Sequence, residues 1–248
     1  MVFIQGLGIL GRAWKPQVEA LGAEYQCLTF DNRGIGRSQP RGCGITIPRM
    51  AEDALALMDA EGWEWAHVVG QSMGGVIAME MALRARPRVR SLALTCSLAR
   101  GSGVFPRSPG MLWRWLRTQV GTRSQKREAL LELMLPERVL AGTNRVAPAS
   151  ELAELFGHDL GDHPPVSARQ LWALVRHDLT GRLGELAGLP TLVVSASDDR
   201  ITPPDFGRAL ARAIGGARFV EIQDASHAVD IQRAGEVNAL LREHLQAC

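Results

Sequence analysis

Short apolar runs alternate with helical patterns along most of the chain. Several runs are apolar almost throughout, which is typical of strands buried on both faces of a parallel sheet. The predicted strands are Val2–Gln5, Gln26–Phe30, His67–Gly70, Arg90–Cys96, Thr191–Ser195 and Arg218–Ile222. Between them the spacing of apolar residues predicts helices over Ile47–Glu61, Met73–Arg86 and Val229–Gln246. This alternation predicts an α/β fold with a doubly wound, mostly parallel sheet.

One long interval interrupts the alternation. Residues 98–184 contain no good strand pattern, only helix-like segments punctuated by Pro, Gly and Ser. The predicted helices of this interval are Gly110–Val120, Ser124–Leu135, Ser150–Phe156 and Ser167–Arg176. An insertion of this size between two strands predicts a helical cap or lid, here called the cap segment (98–184). The core is then formed by residues 1–97 and 185–248.

Composition narrows the class of protein. The 248 residues carry 28 basic and 26 acidic side chains, a formal net charge of +2, which excludes a strongly cationic nucleic-acid binder. The cysteines (Cys27, Cys43, Cys96, Cys248) lack metal-ligand or redox spacing, so no metal is predicted. No stretch approaches the roughly 20 apolar residues of a membrane span. The first residues lack the features of a signal peptide, and we expect a cytoplasmic protein without a membrane partner.

A glycine-rich turn follows the first predicted strand. Gly6–Gly11 reads GLGILG, which fits GxGxxG, and Asp31 ends the next strand about 20 residues later, as in dinucleotide-binding folds. The following helix is interrupted by Pro16 and carries the bulky Trp14 early, which argues against this interpretation. A dinucleotide-dependent oxidoreductase remains an alternative, and no cofactor is predicted.

A second motif lies between the strand His67–Gly70 and the helix that begins at Met73. Gly70–Gly74 reads GQSMG, with Ser72 at the turn. A nucleophilic serine needs a tight, strained strand-to-helix turn that exposes its hydroxyl, and flanking glycines avoid collisions with neighbouring backbone. The helix N-terminus offers free N–H groups to a developing oxyanion. The position therefore predicts a nucleophile, although an inert glycine-rich turn would have the same sequence.

A serine nucleophile needs a base that is held by an acid. Asp198 and Asp199 follow the strand Thr191–Ser195, and His227 lies one loop beyond the strand Arg218–Ile222. Chemistry in open α/β sheets gathers at the carboxyl ends of strands. Ser72, an acid and His227 therefore follow one another in the order expected for a strand-to-helix serine hydrolase.

Together these residues resemble the α/β-hydrolase family over nearly the whole chain. Besides the serine motif, Asp31–Ser38 (DNRGIGRS) is similar to the family's DxRGxGxS turn, and DDRITP resembles its acid loop. That resemblance selects Asp199 rather than Asp198 as the acid. It also implies that Leu7 and Met73 supply the two oxyanion N–H groups, with Gln5 standing where the family usually has His.

The resemblance implies hydrolysis of a small-molecule carboxylic ester through an acyl-enzyme on Ser72, with His227 as base and Asp199 as its orienting acid. Family relatives also open enol-lactones, hydrolyse carbon–carbon bonds or thioesters, and catalyse cofactor-free perhydrolysis, and these reactions stay open. A non-catalytic receptor on the same fold is a further alternative. The substrate itself is not indicated by the sequence.

Two other expectations follow. The family normally has two strands before the oxyanion turn, and this chain begins at the third, leaving six parallel strands with residues 26–30 at an edge. We expect that edge to be covered by a partner subunit, giving a homo-oligomer, or by residues that precede this chain.

The cluster His158, Asp159, Asp162 and His163 is expected to be solvent-exposed and not a metal site.

Overall fold

The computed structural model describes residues 1–38, 44–141 and 145–248, so Cys43 and a short piece of the cap segment lie outside the described residues. Its six strands form one parallel sheet in the order β2-β1-β3-β4-β5-β6. The strands are β1 (Val2–Ile4), β2 (Leu28–Thr29), β3 (Ala66–Gln71), β4 (Val89–Thr95), β5 (Thr191–Ala196) and β6 (Arg218–Ile222). The predicted parallel α/β sheet is confirmed.

Helices cover both faces of the sheet. The helices outside the cap segment are α1 (Lys15–Leu21), α2 (Ile47–Ala60), α3 (Met73–Arg84), α9 (Pro204–Ala213), α10 (Val229–Gln232) and α11 (Ala234–Gln246). The cap segment contains α4 (Pro109–Gln119), α5 (Arg123–Met134), α6 (Glu137–Leu140), α7 (Val146–Phe156) and α8 (Ser167–Val175). One core cluster joins α2, α3 and α9 to one sheet face, and another joins α1 and α11 to the opposite face.

Two helices differ from the sequence prediction. Pro16 does not interrupt α1, because it lies in the first turn, where the missing N–H would have no partner anyway. The C-terminal helix predicted over Val229–Gln246 is divided at Arg233 into α10 and α11. The short α10 therefore forms a separate turn immediately after His227.

The edge strand is shorter than predicted. Residues 26–30 were expected to form the strand, but only Leu28 and Thr29 pair, because β1 itself extends for just three residues. The Leu28 N–H donates to the carbonyl of Met1 at 2.8 Å. The β2 edge of the sheet is therefore brief.

Between β4 and β5 the described part of the cap segment contributes helices and no strand of the sheet. An isolated antiparallel bridge between Arg100 and Asp178 brings its two ends together. This arrangement is compatible with an inserted cap. That residues 98–184 form a domain separate from the core stays a prediction. Among the described residues, no helix is both long and apolar enough to span a bilayer.

Candidate active site

Ser72 occupies a strained turn between β3 and α3. Its φ of 53° and ψ of −119° are unusual for a residue with a side chain. The turn is tight: a Cβ on Gly70 would lie 2.4 Å from the carbonyl oxygen of Gly74, and one on Gly74 would lie 2.0 Å from that of Ile4. Only glycine fits at both positions, so the GxSxG pattern has a direct steric cause here.

Asp199 lies in the turn after β5, and its side chain is completely buried. The N–H groups of Ile201 and Thr202 donate to its Oδ1 at 2.8 and 2.9 Å, and the Thr202 hydroxyl lies 2.7 Å from its Oδ2. Burial by itself would raise the pKa of Asp199, but the neighbouring His227 and these hydrogen bonds outweigh it and hold the pKa below its ordinary value. Asp199 is therefore held as a carboxylate.

His227 contacts this carboxylate directly. Its Nδ1 lies 2.8 Å from Asp199 Oδ2, and the histidine side chain is only 5% exposed. An Nδ1–H that donates to a carboxylate leaves Nε2 as the basic nitrogen. The neighbouring Asp198 is exposed and lies outside this contact. The structure thus brings His227 together with Asp199, the acid chosen from the sequence.

The loop that carries His227, here called the base loop, is bound through its backbone to the residue before Ser72. Gln71 Nε2 donates to the carbonyl of His227 at 3.2 Å, and Gln71 is the residue before Ser72. Within the described residues no hydrogen bond joins the Ser72 hydroxyl to the His227 ring. Catalytic hydrogen bonds of this kind are often long before substrate binds, so the missing bond does not exclude His227 as the base of Ser72.

A buried network beneath the serine connects the turn to the base loop. The N–H of Ser72 donates to the carbonyl of Thr95 at 2.9 Å, and the Thr95 hydroxyl donates to Asp230 Oδ2 at 3.0 Å. Asp230 lies on α10, next to the base loop, and burial raises its pKa to about 7. Asp230 was not predicted from the sequence, since its only sequence signal is its nearness to His227.

Cys96 lies at the carboxyl end of β4, with a φ of 44°. Potential ligand atoms of Cys96, Asp199 and His227 lie within 4.8 Å of one another. Burial, followed by the nearby carboxylates Asp199 and Asp230, raises the pKa of the Cys96 thiol well above its ordinary value. Metals bind the thiolate, so this neutral thiol and an already hydrogen-bonded carboxylate suit a hydrogen-bond network better than a metal centre.

The glycine-rich turn after β1 contains one amide without an acceptor among the described residues. The Gly6 N–H donates to the side-chain Oε1 of Gln5 at 2.8 Å, and the Gly8 N–H donates to Gln170 Oε1 at 2.9 Å. Among the described residues the Leu7 N–H, which lies between them, has no hydrogen-bond acceptor. The Gln5 side chain therefore supports this turn through the Gly6 N–H.

Met73 offers a second amide at the start of α3. Its N–H likewise has no acceptor within the part of the chain that the structure describes, as is usual at a helix N-terminus. Leu7 and Met73, which the sequence predicts as oxyanion donors, each therefore keep an N–H without an acceptor among the described residues.

The groups that a dinucleotide would need at the same turn are bound within the protein. A Cβ on Gly11 would lie 2.3 Å from the carbonyl oxygen of Phe30, and the Gly11 N–H donates to Asp31 Oδ1 at 2.9 Å. In a dinucleotide site the second glycine of this motif approaches the pyrophosphate, the third allows close packing of the helix on the strand, and the acid binds a ribose. Here the N–H of the second glycine, Gly8, donates to Gln170, and Asp31 accepts the Gly11 N–H.

The acidic cluster of the cap segment is only partly exposed: His163 is exposed, whereas His158, Asp159 and Asp162 are half-buried. His158 is half-buried, with Nε2 3.1 Å from the carbonyl of Gly8 and Nδ1 2.9 Å from that of Asp159. The carboxylate of Asp159 pairs with Arg127. The expectation of solvent exposure is therefore wrong for His158, which contacts the glycine-rich turn directly.

A cavity of about 430 Å³ lies between the cap segment and the acid loop. Its apolar part includes Phe105, Met111 and Ile201, and it reaches the site at Asp199. A volume of this order accommodates a small organic molecule.

Known proteins are similar to this chain over most of its length. A family model described as alpha/beta hydrolase fold matches residues 1–234. A protein of Azorhizobium caulinodans named as a carbamate hydrolase, RutD, is 33% identical over 236 residues, covering 95% of this chain and 87% of that protein. A protein of Mycobacterium tuberculosis named as a non-heme bromoperoxidase, BpoC, is 33% identical over 248 residues, covering 97% of this chain and 91% of that protein.

Solved structures share the fold as well. The crystal structure of BpoC from Mycobacterium tuberculosis has a TM-score of 0.83 at 29% identity, covering 99% of this chain and 91% of that one. An enol-lactonase from Burkholderia xenovorans LB400 has a TM-score of 0.81 at 29% identity, covering 99% and 90%. A thermophilic esterase from Thermogutta terrifontis has a TM-score of 0.79 at 27% identity, covering 99% and 89%.

Proposed function

Because the chain belongs to the α/β-hydrolase family, we propose that this hydrolase cleaves a small carboxylic ester through an acyl-enzyme on Ser72. The observation that carries the proposal is the buried contact of 2.8 Å between His227 Nδ1 and Asp199 Oδ2, formed beside a strained serine turn. A serine hydroxyl is a weak nucleophile, and an imidazole oriented by a carboxylate is the group that activates it.

In the first half of the reaction the Ser72 oxygen bonds to the ester carbonyl carbon while its proton passes to Nε2 of His227. Collapse of the tetrahedral intermediate breaks the carbon–oxygen bond, and the same proton leaves with the alcohol. Water then attacks the acyl-enzyme, again losing a proton to His227, and the carboxylic acid departs as Ser72 recovers its hydrogen. Asp199 stabilises the imidazolium that forms in both halves.

The tetrahedral intermediate carries its negative charge on the former carbonyl oxygen. The Leu7 and Met73 amides are donors without an acceptor in the part of the chain that the structure describes, as an oxyanion site requires. Each such donor typically contributes about 3 kcal/mol, or on the order of a hundredfold in rate. The same machinery suits other acyl substrates equally well.

A lactone is the second candidate substrate, favoured by the likeness to a solved enol-lactonase. Opening a lactone uses the same attack, with the leaving oxygen kept in the acyl group. Perhydrolysis, thioester, carbamate and carbon–carbon cleavage also start from this acyl-transfer geometry. A panel of p-nitrophenyl esters of rising chain length, one enol-lactone, one thioester and one aryl carbamate would rank these classes by kcat/KM.

Replacing the nucleophile tests the proposal. Ser72→Ala should abolish ester turnover and labelling by a fluorophosphonate probe, with an unchanged circular dichroism spectrum. Ser150→Ala, at an exposed serine of α7, is the matched control and should behave like wild type. Wild-type turnover or labelling in Ser72→Ala would rule out the acyl-enzyme, and an unlabelled wild type would favour a non-catalytic receptor.

A second pair of variants tests the acid. Asp199→Asn should lower kcat about 10⁴-fold, because the amide no longer holds the productive imidazole tautomer. Asp198→Asn is the matched control one residue away and should retain activity. The opposite result would mean that the acid had been assigned to the wrong aspartate.

A further inference from the structure

One buried glutamine of the cap segment connects two loops at the carboxyl ends of the strands. Gln170, on α8, is completely buried and uses both ends of its amide. Its Oε1 accepts the Gly8 N–H at 2.9 Å, and its Nε2 donates to the carbonyl of Arg33 at 3.2 Å. Burying an amide is costly unless its hydrogen bonds are made, so these two contacts fix the position of Gln170.

The cap segment makes two further contacts with the glycine-rich turn, one at the Gly8 carbonyl and one at the Leu10 N–H. His158 Nε2 lies 3.1 Å from the Gly8 carbonyl oxygen, and the Leu10 N–H donates to the carbonyl of Phe156 at 3.3 Å. Gly8 adopts a φ of +78°, and a Cβ there would lie 2.9 Å from the Ser167 hydroxyl of α8. The cap therefore closes against this glycine without room for a side chain.

These contacts surround the Leu7 amide. The peptide plane that carries the Leu7 N–H lies between two planes whose own N–H groups are bound, one by Gln5 and the other by Gln170. Because neighbouring planes are joined only through the φ and ψ angles of Gly6 and Leu7, fixing the outer two restricts the middle one. Oxyanion stabilisation depends on donors that are already aimed at the developing charge.

We propose that Gln170, assisted by His158, is a positioning residue that aims the Leu7 amide at the oxyanion, so that the cap segment sets the rate of acyl transfer. This inference rests on the proposed function. The two side chains touch Gly8 and not the reacting atoms. Their loss would misplace one donor while leaving the nucleophile and its base in place.

The test compares variants by steady-state kinetics with a p-nitrophenyl ester and by inhibition with a trifluoromethyl ketone, which forms an oxyanion on the enzyme. Gln170→Met removes both hydrogen bonds at similar volume and should lower kcat about 10- to 100-fold with little change in KM. The inhibition constant for the ketone should rise in proportion to the loss of kcat/KM. A purely structural role would not produce that proportionality.

His158→Ala covers the case in which Gln170→Met does not fold, because His158 is only half-buried. It should lower kcat in the same way, and His158→Gln, whose amide can donate to the Gly8 carbonyl, should recover part of the loss. The matched control is Asn238→Leu, which removes another buried amide, bonded to the carbonyl of Pro16 at 3.2 Å, at the packing of α11 against α1. It should leave kcat and ketone inhibition unchanged.

Folded His158→Ala and Gln170→Met with wild-type kcat and ketone inhibition would overturn the inference, as would an equal loss in Asn238→Leu. Failure of the proposed function looks different. In that case Ser72→Ala would keep its ester turnover, whereas failure of this inference alone leaves Ser72→Ala inactive and the Gly8 contacts without effect on rate.

Discussion

At the scale of single residues, Asp230 couples the stability of the fold to pH. Its side chain is fully buried, with Oδ2 bound to the Thr95 hydroxyl and Oδ1 without a hydrogen-bond partner among the described residues. Burial, the largest cause, raises its pKa from 3.8 to about 7. The folded state therefore keeps this proton over a pH range in which the unfolded chain releases it.

The sign of the effect follows from that difference. The stabilising contribution of the neutral acid is complete below about pH 4 and is lost as the pH rises through about 7, at about 1.4 kcal/mol per pH unit. The whole loss is on the order of 4 kcal/mol. Asp230→Asn keeps an oxygen for Thr95 but cannot ionise.

We therefore expect the free energy of unfolding of Asp230→Asn to equal or fall slightly below that of wild type at pH 4 and to exceed it increasingly up to pH 8. Urea denaturation at several pH values measures the difference. Curves for the two proteins that remain parallel over this range would show that Asp230 does not hold its proton in the fold.

Residues differ in how far the sequence could identify them. Ser72 and His227 were predictable because a strained turn and a late loop leave local signals, namely flanking glycines and a position after a strand. Gln170 and Asp230 leave none, since their partners Gly8 and Thr95 lie 162 and 135 positions away in the chain. Contacts of that separation are set by packing of the whole fold.

At the scale of elements, the approach of β1 to α3 depends on one glycine. A Cβ at Gly74 would lie 2.0 Å from the backbone oxygen of Ile4, an atom that cannot rotate away as a side chain could. Gly74→Ala should therefore separate β1 from the start of α3, at a cost of about 1–3 kcal/mol or more. The displacement would also move the Met73 amide and lower kcat for the ester.

The matched control for this change is Gly235→Ala on α11, where a Cβ would meet no atom of the described residues within 4 Å. Thermal denaturation and ester kinetics on both variants separate the effects. Gly235→Ala should be neutral or slightly stabilising, since alanine is the better helix former. A Gly74→Ala protein with wild-type melting temperature and kcat would mean that the turn is less tight than the backbone positions indicate.

The elements themselves were largely predictable where burial imposes a pattern. Apolar runs located the buried strands β3, β4 and β5 closely, because both of their faces lie under helices. The helix α1 was harder, since Pro16 suggests a break unless its place in the first turn is known. The edge strand β2 was overestimated because strand length depends on the partner, β1, as well as on the residues themselves.

At the scale of the whole molecule, the parallel sheet explains why part of the candidate site could be predicted from the sequence. The carboxyl ends of parallel strands meet at one edge of the sheet, so residues that follow β3, β5 and β6 necessarily gather. From that rule alone, Ser72, Asp199 and His227 are expected at the same edge of the sheet, before any distance is measured. It says nothing about which helices of the cap segment close over them, and therefore nothing about His158 and Gln170.

The remaining question at this scale is the open edge at β2. Leu28 and Thr29 form an edge strand of the sheet beside β1. The Leu28 N–H points toward β1 and donates to the carbonyl of Met1, so the alternation along a strand turns the Thr29 N–H away from β1. An outward N–H on an edge strand can pair with another chain, although a short strand offers few such bonds. We expect self-association through this edge to be weak and concentration-dependent.

Thr29→Pro tests this directly, because proline removes the outward N–H and is tolerated at an edge position. Sedimentation velocity over a range of protein concentrations should show a shift from monomer toward dimer in wild type and in Thr29→Val, which keeps the N–H. In Thr29→Pro that shift should disappear while the melting temperature stays close to that of the valine variant. A wild-type protein that sediments as a monomer at every concentration would mean that the brevity of β2 already protects the edge, because two residues give too few hydrogen bonds to offset the entropy of association.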